Sequence, residues 1–351
     1  MVMDGVQAAI VGTGYGSVEL IRLLTRHPRV KEIRVFTHSR EGEALEEIYP
    51  HLEGILDVTL EPFAPERVTD AGDVVFFGTP AGVSGALAPS LLEAGLRVID
   101  LSGDFRLRDG ARYETWYGRP SAPKRWLDQA VYGLAEIARD EVRKARLVAN
   151  PGCYPTAALL ALYPLVQAQA VDLDTLVLDG KSGVSGAGRG VSLGVHFSEV
   201  NENVKAYKVG VHQHIPEIEQ AVEGWAGRPV SLVFVPHLVP MTRGILMTVY
   251  ARWIGGAVPD TEGLLELYRR QYADAPFIRV LPAGRQPATK GVYGTNFVDL
   301  GVAFDGRTKT VIVTAAIDNL VKGAAGQAVQ NMNVMFGWAE TLGLLDVPLF
   351  P

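Results

Sequence analysis

The sequence is poor in cysteine and has no long hydrophobic run. Cys153 is the one cysteine among 351 residues, which excludes an internal disulfide and predicts a cytoplasmic protein. The amino-terminal segment MVMDGVQ lacks the basic and apolar regions of a secretory signal. The longest apolar run, around TAALLALYPLV, is far shorter than the roughly 20 residues that span a bilayer. We therefore expect no membrane association.

Basic residues are also fewer than acidic residues. Lysine and arginine total 33 against 39 aspartates and glutamates, which gives a formal net charge of -6 and a pI near 5.7. This balance argues against nucleic acid as the main partner. A small anionic ligand is still compatible, because a local cluster of arginines is hidden in the total. The length favours two domains over one.

The first 150 residues alternate short apolar runs with amphipathic segments. The strand-like runs are QAAIVG, IRVFTHS, DVVFFGTP, LRVIDLS and RLVANPG. Nearly continuous apolar strands that alternate with helices predict a parallel sheet covered on both faces, as in an α/β Rossmann-type dinucleotide-binding domain. From about residue 170 the strands are separated by hairpin-like breaks such as Asp305-Gly306. This texture predicts an α+β domain with a mainly antiparallel sheet.

Apolar residues at helical spacing predict a helix over 18–24. In the second half of the chain, helices are expected over 261–275 and around 215–225. The final segment LVKGAAGQAVQNMNVMFG predicts a helix rich in small residues, which could return to the first domain.

The stretch VGTGYGSVEL carries Gly12, Gly14 and Gly16 between a predicted strand and helix. A G-x-G-x-x-G fingerprint would place its third glycine at position 17, which is Ser17. Clustered glycines at a helix start expose backbone N–H groups to a phosphate, so we expect a dinucleotide pyrophosphate site. A merely structural turn between strand and helix is the alternative.

The end of the second strand indicates which dinucleotide is bound. NAD sites usually carry an acidic residue there for the ribose 2′-hydroxyl, whereas this chain has Thr37, Ser39 and Arg40. A hydroxyl and a guanidinium suit a 2′-phosphate, which favours NADP. The alternative is a solvated loop in which Arg40 has no ligand.

Cys153 follows a Pro-Gly turn in VANPGCYPTAALLALYPLV. The strand is expected to end at Asn150 and a helix to begin near Thr156. A thiol at such a junction lies near the positive end of the helix dipole, which favours the thiolate. An inert buried thiol is the alternative.

His212 and His214, in VHQHIPEIEQ, are the candidate proton-handling partners. If this stretch is extended, their side chains share a face. The rival interpretations are structural histidines, or a metal site with His237 as a third ligand.

Two further stretches resemble anion sites. LDGKSGVSGAGRG combines glycines with Lys181, Ser182, Ser185 and Arg189. IDLSGDFRLRD places Ser102, Asp104 and Arg106 just after a strand, where open α/β sheets bind their ligands. Each stretch could instead be a turn with solvated arginines.

These residues together resemble the N-acetyl-γ-glutamyl-phosphate reductase family, from about residue 7 to 340. The matching stretches are VIDLSGDFRLRD, VYGLAEI, VANPGCYPTAALLAL, KSGVSGAGR, NVKAYKVGVHQHIPEIEQ, PHLVPMTRGILMT, GTNFVDL and AIDNLVKGAAGQAVQNMN. Two features depart from the family pattern. The glycine loop is one residue shorter than is common, and Ala81 occupies a position that is often histidine.

The resemblance implies a domain division and residue roles. It implies a Rossmann domain of residues 1–152 and 321–351, and an inserted α+β domain of 153–320 that carries the substrate site and the oligomerisation surface of a homodimer or homotetramer. Cys153 matches the nucleophile, His214 the acid/base residue and His212 a residue beside the nicotinamide. Arg106 matches a phosphate-contacting arginine, and Asn319 a contact to the cofactor amide.

The complete expected site follows from both lines of reasoning. The cofactor NADP(H) is expected at Gly12, Thr13, Gly14, Tyr15, Gly16, Ser17, Ser39, Arg40, Pro80, Ser182, Gly183, His212 and Asn319. The substrate and its phosphate are expected at Ser102, Arg106, Asn150, Lys181, Ser185, Arg189 and Glu217. No metal is expected.

The reaction that the resemblance implies is NADPH-dependent reduction of N-acetyl-γ-glutamyl phosphate to N-acetylglutamate 5-semialdehyde through a cysteinyl thioester, with release of phosphate. The alternatives are the homologous reductase of lysine biosynthesis, which acts on a carrier-linked aminoadipyl phosphate, and an aspartate-semialdehyde dehydrogenase. From other classes, a non-catalytic NADP-binding regulatory protein and a thiol hydrolase are considered.

Overall fold

A computed structural model of the chain describes residues 5–70, 72–256 and 260–350. The strands are Val6–Val11 (β1), Val30–Thr37 (β2), Glu61–Pro62 (β3), Val74–Phe77 (β4), Arg97–Asp100 (β5), Val131–Tyr132 (β6), Leu147–Ala149 (β7), Val171–Ser182 (β8), Lys205–Ala206 (β9), Val233–Leu238 (β10), Ile245–Trp253 (β11), Ile278–Val280 (β12), Val298–Asp305 (β13) and Thr310–Ile317 (β14). The helices are Tyr15–Thr25 (α1), Leu45–Ile48 (α2), Pro65–Asp70 (α3), Val83–Glu93 (α4), Gly110–Tyr117 (α5), Lys124–Leu127 (α6), Ala135–Lys144 (α7), Cys153–Gln167 (α8), Phe197–Val200 (α9), Ile215–Ala226 (α10), Thr261–Gln271 (α11) and Gly326–Met335 (α12). Short 3-10 turns lie at Pro50–Leu52, Val184–Ala187, Leu193–Val195 and Thr289–Val292, and Val321–Ala325 is a π-helical turn.

The chain forms two compact units, both discontinuous in sequence. The first unit comprises residues 5–151 and 324–345, and the second comprises 152–323 and 346–350. The division expected from the sequence assigned 346–350 to the first domain. In the structure this segment belongs to the second unit, where the Leu349 N–H donates to the Tyr293 carbonyl at 3.0 Å.

The first unit is built on a seven-stranded sheet with the order β3-β2-β1-β4-β5-β7-β6. Every pairing in it is parallel. Successive residues of β1, such as Ala9 and Ile10, are fully buried although they point to opposite faces of the sheet. The apolar runs are continuous because both faces are covered, and the predicted α/β Rossmann-type class is confirmed.

The carboxy-terminal helix α12 belongs to the first unit, packs against α1 and α7, and buries an unusual number of polar side chains. Asn331 donates to the side-chain oxygen of Asn150 at 3.0 Å and to the Gly133 carbonyl at 2.8 Å. Gln327 donates to the same Gly133 carbonyl at 3.1 Å. The side-chain nitrogens of Asn331 and Gln327 therefore have partners, which offsets part of the cost of removing these amides from water.

The second unit is built on another seven-stranded sheet, with the order β12-β13-β14-β11-β8-β10-β9. It is antiparallel except for the β12–β13 and β8–β10 pairs, which confirms the predicted mainly antiparallel sheet. Helix α8 packs on β8, β11 and β14 and is flanked by α10 and α11. The opposite face of the sheet exposes Val177, Val233 and Tyr250.

Several local predictions differ from the structure at their boundaries. Helix α8 begins at Cys153 rather than near Thr156, and α11 ends at Gln271 rather than at 275. The predicted final helix is divided into the π-helical turn and α12. Within the described ranges, none of the helices combines the length and apolar character needed to cross a membrane.

Candidate active site

The glycine loop joins β1 to α1 in the first unit. Gly14 is the N-cap of α1 and makes no side-chain cap hydrogen bond. Gly12 has φ of +106°, and a Cβ there would lie 2.6 Å from the Gly78 carbonyl oxygen. A Cβ on Gly16 would meet no atom within 4 Å. The loop therefore leaves open space in front of a helix N-terminus, which fits the pyrophosphate of a dinucleotide.

Ser17 occupies the position where the fingerprint has its third glycine, whose usual role is close packing of helix on strand. The Ser17 side chain is 1% exposed, and a Cβ on Gly78 would overlap its Oγ. The close packing that a third glycine in the helix usually allows is therefore provided here by Gly78, which follows β4 directly. Gly78 lies in the DVVFFGTP stretch and was not among the residues expected at the site.

The other cofactor positions expected in the first unit lie at the carboxyl ends of neighbouring strands. Ser39 and Arg40 follow β2, where the Ser39 N–H donates to Thr37 Oγ1 at 3.2 Å. Arg40 forms an exposed ion pair with Glu43 at 3.2 Å. Pro80 follows β4 and is exposed. Because β2, β1 and β4 are adjacent in the sheet, these residues share one edge with the glycine loop.

Arg106 is held in place by main-chain carbonyls of the first unit. It is 8% exposed, and its Nε donates to the Asn150 carbonyl at 2.8 Å while one terminal nitrogen donates to the Leu101 carbonyl at 3.0 Å. The Asn150 side chain donates to the Ala324 carbonyl at 3.0 Å. Ser102 Oγ lies 2.8 Å from Thr79 Oγ1. The structure thus brings Ser102, Arg106 and Asn150 to the ends of β5 and β7.

Asp104 has a structural role at the N-terminus of α4. Its carboxylate accepts hydrogen bonds from the backbone N–H groups of Gly82 and Gly85 and from the hydroxyls of Ser84 and Tyr113, at 2.6 to 2.9 Å. Asp104 therefore binds the N-terminus of helix α4 of this chain. Its charge also acts on Asp100, because burial, reinforced by the nearby Asp104 charge, raises the pKa of Asp100.

Cys153 is the first residue of α8, and Gly152 is the N-cap. The Gly152 N–H donates to Glu217 Oε1 at 2.8 Å, and Glu217 is 1% exposed. On the other side, a Cβ on Gly323 would lie 2.7 Å from the Cys153 Cβ. Glycine at 323 is therefore required by the close approach of the π-helical turn to Cys153. Gly323 was not among the residues expected at the site, although it lies within the AIDNLVKGAAGQ stretch.

His214 lies directly against the residue that precedes the thiol. A Cβ on Gly152 would lie 2.5 Å from His214 Nε2 and 2.9 Å from Cδ2 and Cε1 of the same ring. Glu217 Oε2 is 3.9 Å from His214 Nε2. The structure thus brings together Cys153, His214 and Glu217, three residues expected at the site. A base beside a thiol at a helix N-terminus is suited to nucleophilic catalysis.

The stretch that contains His212 and His214 is not extended, so the condition under which their side chains would share a strand face is not met. They lie in a turn, in which the Ile215 N–H donates to the His212 carbonyl at 2.9 Å, and α10 follows directly. The proline at 216 favours this early helix start. The two imidazoles remain neighbours, with ring centroids 4.7 Å apart.

Ser182, Gly183, Ser185 and Asn319 form one cluster in the second unit. Asn319 Nδ2 donates to Ser185 Oγ at 3.0 Å, and Asn319 Oδ1 accepts from the Gly244 N–H at 2.7 Å. The Gly183 N–H donates to the Gly244 carbonyl at 2.9 Å. Asn319 therefore fastens the Ser182–Ser185 turn to the loop that precedes β11.

Lys181 and Arg189 do not join this cluster. Gly180 on β8 faces Tyr154 of α8, so Lys181, one residue later, points to the opposite face of the sheet. There it pairs with Asp179 at 2.8 Å, and Asp179 lies 3.0 Å from His237 Nδ1. Arg189 is exposed on the following loop.

His237 is therefore placed beside Lys181 and Asp179, not with His212 and His214 as the metal interpretation required. In the described parts of the chain, no group of three or more histidine, cysteine, aspartate or glutamate side chains could hold a metal ion.

Two family models match the chain in consecutive parts. The model described as "Semialdehyde dehydrogenase, NAD binding domain" matches residues 7–145, and "Semialdehyde dehydrogenase, dimerisation domain" matches residues 153–319. Among solved structures, aspartate semialdehyde dehydrogenase II from Vibrio cholerae aligns with a TM-score of 0.71 at 19% identity, over 94% of this chain and 98% of that one. At this identity the likeness shows a shared fold.

Curated relatives are much more similar in sequence. The chain is 53% identical to the N-acetyl-gamma-glutamyl-phosphate reductase of Geobacillus sp. (strain WCH70) over 98% of this chain and 99% of the relative. It is 50% identical to the protein of the same name from Bacillus subtilis (strain 168), over 97% and 99% of the two chains. The chain therefore belongs to the N-acetyl-gamma-glutamyl-phosphate reductase family, a group of NADP-dependent oxidoreductases within the semialdehyde dehydrogenases.

Proposed function

We propose that the protein reduces N-acetyl-γ-glutamyl phosphate to N-acetylglutamate 5-semialdehyde with NADPH and releases phosphate. The observation that carries this proposal is the placement of Cys153 at the first position of α8 with the His214 ring against Gly152. The names of relatives at 50 to 53% identity support the substrate.

Cys153 is the proposed nucleophile. Its thiolate attacks the acyl carbon, the new C–S bond forms, and the C–O bond to phosphate breaks. The products of this step are a thioester on Cys153 and free phosphate. The N-terminus of the 15-residue helix α8 favours the thiolate form through the helix dipole.

The glycine loop from Gly12 to Ser17 is proposed to hold the pyrophosphate of NADP(H), with Ser39, Arg40 and Pro80 along the same sheet edge. Gly183 and the Ser182–Asn319 cluster are proposed to contact its nicotinamide end. NADPH, when bound, supplies the hydride that brings the thioester carbon to the aldehyde oxidation level. An arginine at the end of β2 suits the 2′-phosphate, which supports NADP over NAD.

His214 is the proposed acid and base. It takes the thiol proton before the attack and gives a proton to the carbonyl oxygen as that carbon becomes tetrahedral. The same imidazole recovers this proton when the C–S bond breaks and Cys153 leaves as a thiolate. Glu217 supports both partners, because it accepts the Gly152 N–H and lies 3.9 Å from His214.

Arg106, Ser102 and Asn150 are the proposed binding residues for the substrate phosphate in the first unit, with Ser185 and Arg189 proposed in the second. The Arg106 guanidinium is oriented by two carbonyls, so it stabilises the departing charge with little reorganisation. Lys181 was expected among the phosphate ligands, but its ion pair with Asp179 on the open face of the sheet supports a different role.

The test is a phosphate-dependent NADP reduction assay. N-acetylglutamate semialdehyde, aminoadipate semialdehyde and aspartate semialdehyde are offered separately, with Cys153→Ser as the control variant. We expect activity with the first substrate and a loss of at least a thousandfold in the serine variant, as expected when a nucleophile is removed. Activity only with another semialdehyde, or full activity in the serine variant, overturns the proposal. Replacing NADP by NAD tests the role of Arg40.

A homodimer through the second unit is proposed as the assembly, since the match to a dimerisation domain covers residues 153–319. The open face of its sheet exposes Val177, Val233 and Tyr250, and contiguous exposed apolar surface marks an interface. Val233→Lys is expected to shift the protein toward monomer in light scattering. Ile55→Lys, at an exposed site of the first unit, is the matched control and should not. If the protein is a tetramer instead, the Val233→Lys variant should appear as a dimer in light scattering.

The proposal also includes a cytoplasmic location. The reaction requires Cys153 as a free thiol, and a reducing compartment keeps a lone cysteine in that state.

A further inference from the structure

His212 is enclosed within the second unit. Its ring is 3% exposed and makes edge contacts with Tyr154, Tyr207 and Phe234, at centroid distances of 5.5 to 5.8 Å and interplanar angles of 73° to 89°. A ring so enclosed has little surface with which to touch a ligand. Its environment therefore calls for a role different from the nicotinamide contact expected from the family resemblance.

A hydrogen bond to the imidazole defines the protonation state of His212. The His214 backbone N–H donates to His212 Nδ1 at 3.1 Å. Nδ1 is thus an acceptor, and in the neutral ring the proton resides on Nε2. Burial, reinforced by the nearby Lys208 charge, lowers the pKa of His212 to about 4. The ring is therefore neutral under physiological conditions and keeps Nδ1 available.

The same ring links the two elements that carry the reacting groups. His214 is the N-cap residue of α10. Its own imidazole rests on His212 at a centroid distance of 4.7 Å. Tyr154, which follows Cys153 on α8, makes edge contacts with both imidazoles, at 5.8 and 6.1 Å. Tyr154 in turn fits against Gly180, where a Cβ would lie 2.6 Å from its ring.

We propose that His212 is a positioning residue that fixes the backbone and the ring of His214 relative to Gly152 and Cys153, and that it does not contact the cofactor. This inference rests on the proposed function, in which His214 exchanges protons with Cys153 and the substrate. It acts through two contacts, the hydrogen bond from the His214 N–H and the tilted packing of the two imidazoles, whose planes are 59° apart. Loss of the acceptor frees the turn that precedes α10, so the imidazole of His214 no longer has a single orientation.

Two variants separate the acceptor from the bulk of the ring. His212→Asn places an amide oxygen near the position of Nδ1 and retains the acceptor, whereas His212→Leu fills the space without one. The measurements are kcat, KM for the semialdehyde, the NADPH dissociation constant from nucleotide fluorescence, and the pH dependence of Cys153 alkylation by iodoacetamide. Thermal unfolding checks that both variants are folded.

We expect His212→Leu to lose roughly tenfold to a hundredfold in kcat, as for a displaced catalytic group, with the NADPH dissociation constant within twofold of the parent. His212→Asn should remain within about fivefold of the parent kcat. The alkylation profile should shift to higher pH in the leucine variant alone. A raised NADPH dissociation constant in both variants would instead identify His212 as a cofactor contact and overturn the proposal, as would an unchanged kcat in the leucine variant.

The alkylation measurement needs neither substrate nor NADPH, so it separates this inference from the proposed function. If the parent protein has no reductase activity but its alkylation profile still depends on the acceptor at 212, the function is wrong and the positioning role stands. If the protein is active and the profile is the same in all three proteins, the positioning role is wrong.

Discussion

The approach of His214 to Gly152 allows the strongest test of the site geometry. A Cβ at position 152 would lie 2.5 Å from His214 Nε2, whereas ordinary contacts begin near 3.4 Å, so Gly152→Ala requires the ring to retreat by about 0.9 Å. The backbone of Gly152 is extended, with φ of -67° and ψ of 158°, which alanine adopts without strain. The effect is therefore steric and directed at one imidazole.

A displacement of about 1 Å at a reacting group costs on the order of a hundredfold in rate, or about 2.7 kcal/mol of transition-state stabilisation. The free energy of unfolding should fall by about 1 to 2 kcal/mol, because overpacking destabilises while alanine restricts the unfolded chain. We thus expect a large loss of kcat with a small loss of stability. NADPH affinity should be unchanged, because the imidazole that moves is that of His214, which is not among the proposed cofactor contacts.

The assay is steady-state reduction of NADP with the semialdehyde and phosphate, alongside urea unfolding of the same preparations. Gly224→Ala is the matched control, because Gly224 lies on α10 and a Cβ there meets no atom within 4 Å. This control should gain about 1 kcal/mol in stability and keep its kcat. If Gly152→Ala retains kcat within threefold of the parent, the inferred contact between His214 and the thiol segment is wrong.

Three further outcomes are expected. Gly78→Ala should lower the free energy of unfolding by about 1 to 3 kcal/mol, because its methyl group and the Ser17 side chain compete for one space. Adding Ser17→Gly to the same chain should restore most of this loss. If the effects of the two substitutions in urea unfolding are simply additive, the pairing is wrong. Gly323→Ala should cost a similar free energy and slow Cys153 alkylation, because its Cβ would lie 2.7 Å from the Cys153 Cβ; an unchanged alkylation rate is the opposing result. The pKa of His212 is lowered from 6.5 to about 4 in the folded protein, so between these pH values the imidazole binds a proton in the unfolded chain but not in the folded one. The free energy of unfolding should therefore fall by about 3 kcal/mol as the pH drops from about 6.5 to 4. His212→Asn should lack this component in urea titrations across that range, and an equally steep decline in the variant would show that the neutral ring is not its source.

Fold class was predictable because it depends on patterns that extend over many residues. The continuous apolar strands before residue 150 have both faces buried, and the hairpin at Asp305-Gly306 joins two antiparallel strands as expected. A pattern that extends over many residues still indicates the fold class when the end of a single helix or strand is predicted wrongly. The start of α8 was misjudged by three residues, because Gly152 serves as the N-cap and the helix accommodates the proline at 155 in its first turn.

The site was predictable in its residue types but less so in its geometry. The pairing of Ser17 with Gly78 joins positions 61 residues apart, so a single fingerprint could not reveal it. The orientation of Lys181 is set by strand register against β10 and β11, which a loop-like composition of glycines conceals. The turn at His212 and His214 depends on the burial of one ring by three aromatic residues, two of which, Tyr154 and Phe234, are distant in sequence.

The buried amides of α12 also constrain the order in which the protein folds during synthesis. The Gly133 carbonyl and the Asn150 side chain bind partners on α12, which the ribosome makes only after residues 152–323 of the second unit. The second unit has nearly all of its chain in one run and can fold first, although it is encoded later than most of the first. A nascent chain arrested before residue 326 should therefore show protected amides in the second unit while β6 and β7 still exchange freely.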